Sequence, residues 1–191
     1  YGLSANYRHA GGFYVNATWQ SMTMDVHFRT PGTFSNATGA TEAEGDGFSA
    51  EIGYAHKLTS GLTLAPQVQY ATVDVEMDDF TSSDDVYVLS GLGGKHSLLR
   101  AGLSVFKTFE TTNGSITPLA ELSYLDVMDG ESGISSNGVQ FANDTSGSGY
   151  QFELGIAGRY KAWDISGRLG LADTRATDQS LSTNFTVRYR W

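Results

Sequence analysis

Apolar and polar residues alternate with a period of two along most of the chain, the pattern of strands with one apolar face. The alternation predicts nine strands, near residues 2–9, 12–28, 47–58, 62–75, 97–110, 115–127, 149–160, 163–173 and 181–191. In the last of these, Phe185, Val187, Tyr189 and Trp191 share one face, and Asn184, Thr186, Arg188 and Arg190 share the other. Trp163, Ile165, Leu169 and Leu171 oppose Asp164, Ser166 and Arg168 in the same way, and Phe152, Leu154 and Ile156 oppose Gln151, Glu153 and Arg159. Phe48, Ala50, Ile52 and Tyr54 oppose Ser49, Glu51 and Lys57, while Phe13, Val15, Ala17 and Trp19 oppose Tyr14, Asn16, Thr18 and Gln20.

The connections alternate in length. Short turns fall at His9–Gly12, Thr59–Gly61, Thr111–Gly114 and Lys161–Trp163. Long polar loops are predicted at Thr30–Asp46, Glu76–Lys95 and Met128–Ser148, with a shorter one at Asp173–Gln179. A meander with short turns at one end and long loops at the other fits an outer-membrane β-barrel, whose short turns are periplasmic. Most of the strands hold the 9–11 residues that a tilted membrane strand needs. Aromatics gather at both ends of the apolar face. Phe13, Tyr160, Trp163, Tyr189 and Trp191 lie toward the short turns, and Trp19, Phe48, Tyr70, Tyr124 and Tyr150 toward the long loops. Two such girdles match the two bilayer interfaces. His56 and Lys107 are exceptions that parity places outside, near the short-turn end, where a bulge or snorkelling accommodates them.

Composition narrows the class. Twelve Lys and Arg against twenty-one Asp and Glu give a net charge of -9, which argues against a nucleic-acid partner. With no cysteine there is no disulfide framework and no thiol chemistry. The 23 glycines, 10 Tyr, 10 Phe and 3 Trp favour strands, and no apolar run is long enough for a transmembrane helix. The chain opens on Tyr1 with no visible signal peptide and reads as a processed, trimmed or partial chain. Nine strands also leave an odd count, whereas single-chain bacterial barrels have even numbers, so either at least one further strand is expected upstream or the first segment lies outside the barrel.

Several motifs carry a family resemblance. Gly12-Phe-Tyr-Val-Asn-Ala17 resembles the Gly-x-Tyr-Val-Asp hairpin of autotransporter translocator domains, with Asn16 where that family usually has Asp. Phe48-Ser-Ala-Glu-Ile-Gly-Tyr54 followed by Gly61-Leu-Thr-Leu-Ala-Pro-Gln67 resembles the family's Ser-x-Glu-x-Gly-Tyr and Pro-Gln pair. Ser97-Leu-Leu-Arg-Ala-Gly-Leu103 resembles its Arg-x-Gly-Leu strand, and Val187-Arg-Tyr-Arg-Trp191 its aromatic C-terminal ending. The resemblance implies a twelve-stranded barrel traversed by an N-terminal helix, so that residues 1–191 form one barrel domain holding strands four to twelve. It also implies an upstream passenger, outer-membrane lipid and the barrel-assembly machinery as partners, and no cofactor.

The candidate chemistry is the charge on the polar face. Asn16, Glu51, Arg100, Glu121, Glu153, Arg159, Arg168 and Arg188 are expected to project into the lumen. There they either pair with one another across the wall or form a polar track for a threaded segment. Phe185, Val187, Tyr189 and Trp191 are the expected C-terminal assembly signal. Asp25 and His27 share a face near the extracellular rim, where Asp84 and His96 are within conceivable reach, as in rim-located outer-membrane proteases; solvated rim residues are the preferred reading. The acidic stretch Asp74–Asp85 lacks the glycine and spacing of a calcium loop, and Gly91–Lys95 is too short for a phosphate-binding loop. No metal-ligand cluster and no enzymatic constellation is found. Two alternatives stand beside the autotransporter reading: a small closed barrel over residues 12–191 acting as porin or adhesin, and a soluble acidic β-sandwich.

Overall fold

The computed structural model describes residues 1–31, 36–83, 88–175 and 177–191. The strands in chain order are β1 (Gly2–Arg8), β2 (Phe13–Pro31), β3 (Asn36–Tyr54), β4 (His56–Lys57), β5 (Thr63–Met77), β6 (Phe80–Thr81) and β7 (Val88–Phe106). They continue with β8 (Phe109–Thr111), β9 (Gly114–Asp129), β10 (Glu131–Ser136), β11 (Val139–Asp144), β12 (Gly147–Tyr160), β13 (Trp163–Thr174) and β14 (Thr177–Tyr189). One antiparallel sheet contains them all, and its main path is β1-β2-β3-β5-β7-β9-β12-β13-β14. These nine strands are the nine that the alternation predicts, joined as a meander. The sheet curls into part of a barrel wall. A groove of about 490 Å³ on its concave side is lined by residues from Arg8 of β1 across to Arg168 of β13. β1 and β14 form the two edges and do not pair with each other.

Near the short turns the convex face carries the apolar residues. Phe13, Trp19, Phe48, Ile52, Tyr54, Leu103, Leu122, Phe152, Leu169 and Val187 all stand out from the sheet. The aromatic belts assemble by cross-strand register. Trp19 faces Phe48, Tyr124 faces Tyr150, and Tyr160, Trp163 and Tyr189 lie side by side on three neighbouring strands. The Tyr124 and Tyr150 rings meet edge-on at 5.6 Å, and those of Trp163 and Tyr189 are tilted at 4.8 Å.

The predicted long loops are the main departure. β2, β3 and β7 are 19 residues each, about 60 Å of extended chain, whereas a tilted strand crosses the apolar band with roughly 9–11. Most of the described residues assigned to loops at Thr30–Asp46, Glu76–Lys95 and Met128–Ser148 are therefore strand, and Thr174 already pairs with Thr177 inside the fourth. The reason lies in polarity. Above Trp19 the convex positions of β2 become Ser21, Thr23, Asp25 and His27, while the concave ones become Met22, Met24 and Val26. In β3 the convex Phe48 gives way to Asp46, Glu44 and Glu42, and Ala43 is buried on the concave side. β5 turns over in step, with Asp74 and Glu76 convex and Val73, Val75 and Met77 concave. The Gly45 position touches both Met22 and Val75, which fixes these two side chains on one face. The strands thus keep their parity but exchange their faces above the upper aromatic belt. A segment such as Asn36–Asp46, rich in acidic residues, Thr and Gly, reads as a loop when only a lipid-facing pattern is sought.

The β10–β11 hairpin also lies in a predicted loop. Its turn is Asn137-Gly138, with φ of 50° and 80°, the left-handed pair that a type I′ hairpin turn requires. The Asn137 side-chain oxygen accepts the Val88 N–H at 2.8 Å, and the Asn137 N–H returns a bond to the Val88 carbonyl. β10 then pairs with the upper part of β7, beyond the end of β9. At the exit of the hairpin, the hydroxyl and backbone N–H of Ser146 bond Asp144 and hold its carboxyl below the usual carboxylate range. The two outward-parity exceptions sit where the ladder is interrupted at the short-turn end. His56 follows the break after β3 and stacks on Tyr54 at 6.2 Å, and Lys107 follows β7 with its ammonium 5.4 Å from the Phe109 ring centre.

Candidate functional site

The concave wall near the short turns is built from the positions that alternate with the lipid-facing ones. β2, β3, β5, β7 and β9 bring Tyr14, Asn16, Glu51, Gln67, Arg100, Ser104 and Glu121 into one groove. Arg100 lies between two carboxylates, at 3.1 Å from Glu51 and 3.4 Å from Glu121. Glu121 is only 4% exposed. Gln67 at 2.8 Å, Ser104 at 2.6 Å and Ser123 at 2.9 Å also donate to it. Such a burial is tolerable for a carboxylate only with this many donors. Asn16 donates to Glu51 at 3.1 Å, and the Tyr14 hydroxyl donates to Gln67 at 2.8 Å, so five strands are tied by one network. The Arg100 Nε has no partner within it.

Tyr14 is held flat over Gly53 of the next strand. A Cβ at Gly53 would collide with the Tyr14 ring, so only glycine leaves room for this contact.

The remaining candidates form separate groups. Glu153 of β12 pairs with Arg168 of β13 at 3.5 Å and accepts from Gln151 at 3.0 Å. Nearer the short turns, Asp164 receives Arg159 at 3.1 Å and Arg190 at 2.6 Å. Arg188 stands opposite Asp164 in the register but makes no ion pair or hydrogen bond among the described residues. Of the eight candidates, Asn16, Glu51, Arg100 and Glu121 therefore come together, Glu153 and Arg168 pair, and Arg159 joins Asp164. Tyr14, Gln67, Ser104, Ser123, Asp164 and Arg190 were not singled out by sequence. Parity places all of them on the polar face, but only the cross-strand register shows which ones meet.

Phe185, Val187, Tyr189 and Trp191 lie on the convex face of the final strand. β14 ends at Tyr189, two residues earlier than predicted, and Trp191 extends beyond the ladder, fully exposed. The rim grouping of Asp25 and His27 with His96 does not form. His96 pairs across from Val73 and lines a concave cavity of about 580 Å³, whereas Asp25 lies on the convex face opposite Glu42. Asp84 lies outside the described residues. Among the described residues no group of three or more His, Asp or Glu gathers as metal ligands would.

Residues 1–183 match the family model of the autotransporter beta-domain. The pertactin autotransporters of Bordetella parapertussis and Bordetella bronchiseptica are each 28% identical over 155 residues. That match takes in 80% of this chain and only 17% of the length of either relative. Among solved structures, the beta domain of the Bordetella autotransporter Brka superposes with a TM-score of 0.74 at 16% identity, over 98% of this chain and 71% of that one.

Proposed function

The chain belongs to the autotransporter beta-domain family, and from that membership we propose that it anchors an upstream passenger and lines the route by which the passenger is exported. It is an outer-membrane β-barrel domain of a Gram-negative bacterium. The observation that carries the proposal is the division of the wall below the upper aromatic belt. Its convex face is a continuous apolar band, which holds the domain in lipid. Its concave face is a groove of paired charges and amides, which offers a chain in transit hydrogen-bonding side chains in place of hydrocarbon.

In this reading the whole of 1–191 is one barrel domain, and its nine principal strands are the fourth to twelfth of twelve. Further strands join the edges of β1 and β14, because open edges in hydrocarbon leave backbone groups unpaired at several kcal/mol each. Asn16, Glu51, Arg100, Glu121, Glu153, Arg159, Arg168 and Arg188 face water in the lumen. The test is surface display in cells of the full-length protein. Protease added outside should release the passenger from intact cells, and lipid-face disruption by Leu122→Arg should remove both barrel and passenger from the outer membrane. A passenger that stays periplasmic while the barrel inserts normally refutes export through this domain.

The alternate Phe185, Val187, Tyr189 and Trp191 further suggest recognition by the barrel-assembly machinery through strand addition. Deleting Trp191 should then slow insertion in cells far more than refolding into detergent. Equal impairment of both, or of neither, contradicts that role.

A further inference from the structure

The arginines of the last three strands are unevenly matched. Arg168 has Glu153, and Arg159 and Arg190 share Asp164. Both oxygens of Asp164 are occupied, because Arg190 Nε binds Oδ2 at 2.8 Å and Arg159 Nε binds Oδ1 at 3.1 Å. Arg188, directly across from Asp164 in the β13–β14 register, makes no ion pair among the described residues. Three arginines therefore surround one aspartate on β12–β14, a local excess of positive charge on the concave face. This region also has a shape. A cavity of about 330 Å³ is lined by Arg159, Asp164 and Arg188 together with the hydroxyls of Thr117, Ser166 and Thr186.

We propose that this cationic recess at the periplasmic mouth binds carboxylates of an acidic polypeptide segment on its way into the lumen, with Arg188 as the principal contact. A guanidinium presents a planar fork that matches a carboxylate, and the Ser166 hydroxyl beside it can donate to a second acidic side chain. Asp164 orients Arg159 and Arg190 without neutralising the group. Deeper in the groove Arg100 is shared by two glutamates, so an acidic segment meets net positive charge at the mouth and a net negative cluster further in.

The inference rests on the export reading, and the experiment separates the two. The full-length protein in zwitterionic detergent is titrated with a labelled oligoglutamate peptide at low salt, with an oligolysine peptide as control. Oligoglutamate should bind, and Arg188→Gln should weaken binding about tenfold, as expected for one hydrogen-bonded charge. Arg188→Lys should recover most of it. Thr186→Glu, which places a carboxylate in the recess, should abolish it while the heat-shift of the folded barrel is retained. Equal binding of oligolysine, or unchanged oligoglutamate affinity in Arg188→Gln, overturns the proposal. If the passenger is displayed normally by the unmodified protein in that case, the recess is refuted and the export reading stands. If no passenger reaches the surface, the export reading itself has failed.

Discussion

Replacing Arg100 with Met is the sharpest perturbation of the concave wall. The side chain is 18% exposed and bridges Glu51 and Glu121, which are 15% and 4% exposed. Met keeps much of the stem volume but removes the charge. Glu121 retains three neutral donors, from Gln67, Ser104 and Ser123, and Glu51 retains Asn16. Neither carboxylate retains a countercharge. Breaking a buried pair by removing one partner costs about 3–5 kcal/mol. The three surviving donors place the expected loss at the lower end, about 3 kcal/mol. Adding Glu121→Gln removes the more buried orphaned charge, so the double variant should lie nearer to the parent than Arg100→Met alone, with a coupling of about 1–2 kcal/mol. The assay is denaturant unfolding of the refolded full-length barrel, followed by the gel shift between folded and unfolded forms. Additive losses, or an Arg100→Met variant as stable as the parent, would refute the claim that the triad is electrostatically coupled.

Gly53→Ala should cost about 1–3 kcal/mol as an overpacking change, because its Cβ must displace the Tyr14 ring and with it the bond to Gln67; in a Tyr14→Ala background, unfolding should show the same substitution to be nearly neutral. Leu122→Arg, at a convex position 58% exposed in the middle of its strand, should cost about 2–4 kcal/mol in bilayers. Asn184→Glu on the concave face, opposite Arg168 in the register, should stay within about 0.5 kcal/mol, and comparable losses at both positions would mean that the faces are misassigned. A cysteine at Gln140 in β11 should react with an impermeant maleimide on intact cells, whereas one at Asn113 in the β8–β9 turn should react only after the outer membrane is opened; the reverse result inverts the topology.

The membrane-level fold was legible because its physics is periodic. Phe185, Val187 and Tyr189 against Asn184, Thr186 and Arg188 leave little freedom in register or facing. The upper extension was not legible by the same reasoning, since Met22, Met24 and Val26 are apolar at positions that the lower half of β2 reserves for polar side chains. The Asn137-Gly138 turn was present in the sequence as a strong hairpin signal, flanked by Ile134 and Phe141, but was absorbed into a loop. Parity also supplied every member of the polar groove, yet it could not tell that Glu121 meets Arg100 while Arg188 forms no ion pair among the described residues. Those outcomes depend on side-chain reach between strands, which a one-dimensional pattern does not encode.

The exchange of faces above Trp19, Phe48 and Tyr70 acts as a waterline. A uniform barrel wall could ride a few ångströms higher or lower in the bilayer at little cost. Here a shift outward brings Ile52 and Val68 toward water, and a shift inward drags Asp46 and Asp74 into hydrocarbon, on adjacent strands at once. The depth of the domain is therefore set twice, from both sides of one line. Above that line the same strands carry their oily side inward, like an ordinary aqueous sheet. The wall thus continues as a collar above the apolar band, polar on its outer surface and apolar on its inner one.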